Sequence, residues 1–115
     1  MPYNKTMWSF IELAPFARAR EAYGMDDGEY SELQAALLDD PEAGDVIPRS
    51  GGCRKMRWRA EGRGKRGGYR IIYFLRTATG AVVLVTLYAK NVQENIEAGV
   101  LKKLKEVYEH GEDDR

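Results

Sequence analysis

The amino-acid sequence predicts an α+β fold: a small, mainly antiparallel twisted sheet of about four strands, with helices packed on one face. Two segments with helical spacing follow a first apolar segment, and a third closes the chain. Between them lie three strand-like segments whose short loops suit antiparallel neighbours. The predicted order is therefore β-α-α-β-β-β-α. The 115 residues, 43% of them hydrophobic, suffice for one domain over 1–115, with 111–115 expected to fray.

The first strand and the first helix follow from residue type. The segment 8–13 (WSFIEL) mixes aromatic and β-branched residues, which favours a strand. Pro15 suits the first turn of a helix, because its missing N–H has no partner there in any case. The helix then covers 16–23 and is expected to end at Gly24, which tolerates the left-handed backbone of a helix end.

The second helix has a clear beginning and end. Asp26 with Glu29 three residues later is a capping-box pair. Asp40 precedes a proline, which disfavours further helix. The loop 42–52 follows, rich in Gly, Pro and Ser. The apolar positions of this helix recur at helical spacing: Tyr30, Leu33, Leu37 and Leu38.

Three strands are predicted in the second half of the chain, at 53–59, 69–75 and 81–89. The first of them alternates, so one of its faces is cationic and the other mostly apolar. The cationic face carries Lys55, Arg57 and Arg59 together with Cys53; Met56 and Trp58 share the other face with Arg54. The strand at 81–89 is continuously apolar, which is typical of a central strand.

A last helix is predicted near the C-terminus. Asn91 with Glu94 can cap it. Its expected apolar stripe consists of Ile96, Val100, Leu101, Leu104, Val107 and Tyr108.

Charge is distributed unevenly although the formal net charge is zero. Residues 1–48 hold three bases and ten acids, a net −7. Residues 49–76 hold ten bases and Glu61 alone, a net +9. Residues 77–115 hold five bases and seven acids, a net −2. This pattern favours a polyanionic partner for the middle segment over mutual neutralisation of the three segments.

The inventory of reactive residues excludes several kinds of site. A single Cys53 and a single His110 leave no metal-binding constellation, so no metal or other cofactor is predicted. The run 62–67 lacks the spacing and the Ser or Thr of a Walker phosphate loop. No signal-peptide pattern and no run of roughly 20 apolar residues is found, which indicates a soluble cytoplasmic protein without membrane contact.

A sheet face lined by Lys and Arg and flanked by aromatic residues suits a phosphodiester backbone with unstacked bases. RNA supplies its own nucleophile, the 2′-OH. A nuclease must then add a proton acceptor, cations that stabilise charge on phosphorus, and a donor to the leaving 5′ oxygen. Lysine can accept a proton where neighbouring cations lower its pKa, and arginine can stabilise charge or donate. Lys55, Arg57 and Arg70 meet this requirement without a histidine.

Four short segments, 44–47, 51–57, 64–73 and 87–91, resemble in their order the RelE superfamily of toxins from bacterial toxin–antitoxin pairs. The block Lys-Arg-Gly-Gly-x-Arg-Ile-Ile-Tyr at 65–73 is fairly specific and points to the HigB-like branch. The resemblance covers about residues 8–110. It implies a RelE-like fold, ribosome-dependent cleavage of mRNA without a metal, and neutralisation by a cognate antitoxin, expected to be a helix-turn-helix, HigA-like protein.

The resemblance also assigns site residues. The basic strand pair of the family matches Lys55 and Arg57, and the arginine that opens the next strand matches Arg70. The basic positions after the central strand match Lys90 and, less well, Asn91. Lys55, Arg57, Arg70 and Lys90 are the expected catalytic set. The expected RNA-binding residues are Arg54, Arg59, Arg63, Lys65, Arg66, Tyr69, Tyr88 and Asn91.

The chain departs from the best-known members near its C-terminus. Those members carry an arginine near the position of Asn91 and a tyrosine where this chain has Ile96 and Glu97. HigB-like members often lack that tyrosine, and Tyr88 or Tyr69 is the available substitute.

Two other functions stay open. One is a non-nuclease toxin of the same superfamily that acts on DNA gyrase, although the basic strand favours RNA chemistry. The other is an RNA-binding module without catalysis, whose affinity would fall steeply with salt. For the favoured function the expected partners are mRNA, the ribosome and the antitoxin.

Overall fold

A computed structural model of the chain describes residues 8–58, 68–89 and 97–113. Three helices and a five-stranded mixed sheet within these residues confirm the predicted α+β class. No helix in this part of the chain combines the length and the apolar character that crossing a bilayer requires. The elements run in the order β1 (Ser9–Glu12), α1 (Ala14–Tyr23), α2 (Asp27–Asp39), β2 (Asp45–Val46), β3 (Arg54–Trp58), β4 (Tyr69–Arg76), β5 (Ala81–Ala89) and α3 (Ala98–Asp113).

The sheet has the strand order β1-β5-β4-β3-β2. β1 pairs with β5 in parallel, and the other neighbours are antiparallel. The described strands number one more than predicted, because β2 lies inside the segment 42–52 that was predicted as a loop. Both residues of β2 are exposed, so this edge strand has no apolar alternation that the sequence could reveal.

The helix boundaries confirm the predicted start and stop residues. α1 has Pro15 in its first turn and ends at Gly24, whose φ of 73° lies in the left-handed region. At the start of α2, the Asp26 carboxylate accepts a hydrogen bond from the Glu29 N–H at 2.8 Å. The Glu29 carboxylate accepts one from the Asp26 N–H at 3.1 Å, which completes the capping box.

Helices cover both faces of the sheet, so the prediction of a single covered face was wrong. On one side, here termed the helix-pair face, Phe16 of α1 and Leu33 of α2 pack against Ile71. On the other side, termed the α3 face, Leu101 packs with Ile72. The central strand β4 carries apolar side chains on both of its faces, and each face therefore needs its own cover.

A β-bulge interrupts β5 at Val85. Ile72 pairs with Thr86, whereas the next residue of β4 pairs with Leu84, so Val85 is skipped. An extra residue shifts the alternation of side chains beyond it. As a result Tyr88 lies on the α3 face, with Val85.

The apolar stripe of α3 is narrower than predicted. Val100 and Val107 are 49% and 59% exposed, because a helix that lies on one sheet face buries only the residues directed at that face. The helix continues through Asp113, past Gly111 where fraying was predicted. The predicted cap at Asn91 and Glu94 lies outside the described residues. The stripe that packs on the sheet consists of Leu101, Leu104 and Tyr108.

A contact with the β2–β3 loop holds α3 in place. The Lys105 ammonium donates a hydrogen bond to the Gly51 carbonyl at 2.7 Å and lies 5.4 Å from the centre of the Phe74 ring. The ring of Phe74 meets that of Tyr108 at a centroid distance of 6.0 Å. These contacts hold α3 against one half of the α3 face, the half formed by the end of β4 and the start of β5.

Candidate active site

The register of β3, β4 and β5 brings Lys55, Arg57 and Arg70 together on the α3 face. They lie at the end of this face formed by the start of β4 and the end of β5. Arg57 pairs directly with Arg70, and Arg70 with Tyr88. Directly paired residues of antiparallel strands project from the same face with Cβ atoms about 4.5–5.5 Å apart. Lys55 shares this face, two residues before Arg57 on the same strand. These four residues are termed the site cluster.

The side chains of the site cluster range from exposed to buried. Arg57 is exposed, Lys55 and Arg70 are half-buried, and Tyr88 is 4% exposed. The floor of the cluster is therefore apolar and its open side is cationic. A long, charged side chain can then rest its methylene groups on the sheet while its charge stays accessible to an anion.

The pairing of Arg57 with Arg70 is electrostatically unfavourable in isolation. Like charges directly opposite each other on neighbouring strands are destabilising. An anion placed between the two guanidinium groups turns this repulsion into two attractions, and guanidinium matches phosphate in geometry. The arrangement suits a phosphate group.

Tyr88 supplies a neutral hydroxyl beside Arg70. Burial raises the pKa of the Tyr88 phenol, and the positive charge of Arg70 only partly offsets this effect. The phenol therefore stays protonated at neutral pH. Because its ring is packed in the core with Ile72 and Leu101, Tyr88 supports the cluster from below and offers little surface for base stacking.

Asp45 is a member of this face that sequence reasoning missed. The register sets it directly opposite Lys55, and among the described strand residues it is the only acid on the α3 face. Asp45 belongs to β2, the strand that was not predicted, and the pairing of β2 with β3 sets its position. A hairpin assumed between 44–47 and 53–59 would have revealed it, because Ile47 and Cys53 are joined by a backbone hydrogen bond of 2.8 Å.

Two predicted RNA-binding residues lie on the helix-pair face, away from the cluster. The Arg54 guanidinium donates to the carbonyl oxygens of Gly44 at 2.8 Å and Glu42 at 3.3 Å. These bonds tie it to the loop that leads into β2. Tyr69 is 1% exposed, and its ring meets that of Tyr23 edge to face at 5.3 Å. Both side chains therefore make contacts within the fold, on the face opposite the cluster.

The other predicted site residues lie outside the described residues, so their location relative to the cluster stays a prediction. They comprise one expected catalytic residue and five expected RNA contacts: Lys90, Arg59, Arg63, Lys65, Arg66 and Asn91.

Groups suited to metal binding or thiol chemistry are not found at the cluster. In the ranges 8–58, 68–89 and 97–113, no three His, Cys, Asp or Glu side chains are grouped to hold a metal ion. Cys53 is fully buried in the core under α3, and burial raises the pKa of its thiol. That environment favours the unreactive thiol over the thiolate nucleophile.

Fold and site together define a small α+β protein with an open mixed sheet, helices on both faces, and a cationic end on one face. A family model described as "RelE toxin of RelE / RelB toxin-antitoxin system" matches residues 16–113. The chain belongs to the RelE toxin family. Membership of the HigB-like branch stays a prediction.

A solved structure agrees with this fold at low sequence identity. A mutant of the E. coli toxin RelE in the free state is 12% identical, with a TM-score of 0.55 over 86% of this chain and 97% of that one. The intact E. coli RelBE toxin–antitoxin complex gives 16% identity and a TM-score of 0.48 over 70% and 93%. An archaeal RelE–RelB complex from Pyrococcus horikoshii gives 17% and 0.43 over 76% and 99%.

Proposed function

We propose that this chain is the toxin of a toxin–antitoxin pair and acts as a metal-free endoribonuclease that cleaves mRNA on the ribosome. The observation that carries the proposal is the pairing of Arg57 with Arg70, with Lys55 on the same face. Membership of the RelE toxin family supports the toxin role.

The three cations of the site cluster have tasks in this reaction. Arg57 and Arg70 bind the scissile phosphate and stabilise the negative charge that develops on it. Lys55, next to them, is the candidate for proton transfer with the 2′-OH. The 2′-OH gives its proton to Lys55 and its oxygen attacks phosphorus, the bond to the 5′ oxygen breaks, and that oxygen takes up a proton from solvent. The products are a 2′,3′-cyclic phosphate and a 5′-hydroxyl end.

A cognate antitoxin is part of the same proposal. The description of the matching family names a RelE/RelB toxin–antitoxin system. We expect the antitoxin to be encoded beside this chain, as a helix-turn-helix protein. Its co-purification with this chain from cells that express both reading frames is the check, and a neighbouring product that does not bind contradicts this part.

The nuclease proposal is tested with ribosomes that translate a defined mRNA. Wild-type protein is expected to cut the message, and a single 2′-deoxy nucleotide at the cut position is expected to block that cut. Arg70→Ala is expected to lower the cleavage rate about 10²–10³-fold, the usual effect of removing one donor to a developing oxyanion.

Arg76→Ala is the matched control, because it removes the same charge from the other end of the same strand and the same face. It is expected to cleave at a rate near that of wild type. Uncut message with wild-type protein contradicts the nuclease proposal. DNA-damage signalling in place of translation arrest in cells would favour the gyrase alternative instead.

A further inference from the structure

We propose that Tyr23 is a positioning residue for the site cluster, an inference that rests on the proposed function. Tyr23 is the last residue of α1 and lies on the helix-pair face, behind the cluster. Its hydroxyl accepts a hydrogen bond of 3.1 Å from the N–H of Ala89, the last residue of β5. Its ring meets that of Tyr69, the first residue of β4, at 5.3 Å.

The two residues that Tyr23 contacts are paired with each other. Tyr69 pairs with Ala89, and the next pair along the ladder is Arg70 with Tyr88. Side chains of neighbouring pairs project to opposite faces. Tyr23 thus contacts the terminal pair from one face, whereas Arg70 of the adjacent pair projects into the site cluster on the other face. Movement of the terminal pair would shift the backbone that carries Arg70.

The hydroxyl of Tyr23 binds β5 beyond the point where its pairing with β1 has ended. β1 pairs with β5 only from Ala81 to Leu84, so among the described strands β1 does not reach the last residues of β5. Ala89 is only 2% exposed. A buried N–H without an acceptor is destabilising, so loss of the Tyr23 hydroxyl would favour opening of this end of β5.

The ring and the hydroxyl of Tyr23 have separable roles. A phenylalanine ring would fill the same space against Tyr69, whereas only the hydroxyl accepts from Ala89. Tyr23→Phe therefore removes the anchor and keeps the packing. Tyr30→Phe is the matched control: Tyr30 belongs to the same helical layer, where its ring lies under the Arg20 guanidinium at 4.2 Å.

The experiment compares single-turnover cleavage on ribosomes with amide hydrogen exchange measured by NMR. In Tyr23→Phe the cleavage rate at saturating ribosome is expected to fall about tenfold, since small misplacement of catalytic groups is costly. The half-saturating concentration should not change. Exchange at the Ala89 amide should accelerate, and exchange at Val83, in the middle of the same strand, should not. Tyr30→Phe should keep both the rate and the Ala89 protection.

Two results would overturn the inference while leaving the proposed function intact. One is wild-type cleavage by Tyr23→Phe with Ala89 still protected. The other is equal acceleration at Ala89 and Val83 with an unchanged rate per folded molecule, which marks a purely stabilising role. A wild-type protein that cuts no message overturns the proposed function itself, and the positioning role with it.

Discussion

Asp45 places a negative charge beside an otherwise cationic site. It lies directly opposite Lys55, and opposite charges on directly paired residues attract each other. The same carboxylate repels the phosphates of an approaching RNA. A single residue therefore limits how strongly the site cluster binds a polyanion, in exchange for a lysine whose charge is partly balanced.

Replacing this carboxylate should strengthen RNA binding. An exposed charge pair is worth about 0.2–1 kcal/mol, so Asp45→Asn is expected to raise the affinity for single-stranded RNA by up to about fivefold at low salt. The gain should shrink at high salt, where exposed charges are screened. Fluorescence anisotropy with a labelled RNA measures the affinity at low and at high salt.

Glu32→Gln provides the control for net charge. Glu32 is an exposed acid on α2, the helix that packs on the opposite face of the sheet, and its neutralisation should leave the affinity near that of wild type. Equal gains from the two variants would mean that Asp45 acts only through total charge.

At the scale of elements, β4 holds the loop between α2 and β2 through one side chain. The Tyr73 hydroxyl donates to the Pro41 carbonyl at 2.8 Å and accepts from the Gly44 N–H at 2.9 Å. Arg54 binds the Gly44 carbonyl at 2.8 Å from the neighbouring strand. Both backbone groups of Gly44 are thereby satisfied, and β2 is held in register beside Lys55.

Loss of the Tyr73 hydroxyl should destabilise the fold. Tyr73→Phe leaves the buried Gly44 N–H and Pro41 carbonyl without this partner, at about 1–3 kcal/mol for each group. Urea denaturation measures the change in the free energy of unfolding. A Tyr73→Phe variant as stable as wild type would contradict this account.

Gly44→Ala should destabilise the fold independently, because a Cβ there would lie 3.0 Å from the Lys55 carbonyl oxygen.

The sequence predicted those elements whose local pattern decides their structure. The alternation of β3 correctly separated Cys53 from Met56, which lie in different core clusters. The sequence did not reveal the sheet face on which α3 packs. An apolar stripe identifies the buried side of a helix but not the surface that this side packs against. Nor did the sequence identify the buried surroundings of Tyr69, since the continuous apolar run of β4 is the same on both faces.

At the scale of the whole molecule, four buried or half-buried groups among the described residues share one response to pH. Burial raises the pKa of Tyr73, Tyr88, Tyr30 and the Cys53 thiol. Each group therefore holds its proton more tightly in the folded chain than in the unfolded chain. Stability is then unaffected below the unfolded pKa values, and it falls as pH rises from there through the folded values.

The expected result is a protein that loses stability in alkali. Its free energy of unfolding should be constant near pH 7–8 and should fall above about pH 8.5–10, where cysteine and tyrosine of an unfolded chain ionise. Urea denaturation across a pH series measures this, and Tyr73→Phe should show a shallower fall than wild type. A free energy that is constant up to about pH 11 would contradict the prediction.

The bulge at Val85 has a consequence for comparing this chain with its relatives. Counted from Ala81, a strand without the bulge directs its seventh and ninth residues to the α3 face, whereas here the eighth, Tyr88, faces that way. A relative with a regular β5 should therefore carry the counterpart of Tyr88 one position earlier. A one-residue gap in an alignment of this strand then indicates a change in backbone geometry, and not the loss of the tyrosine.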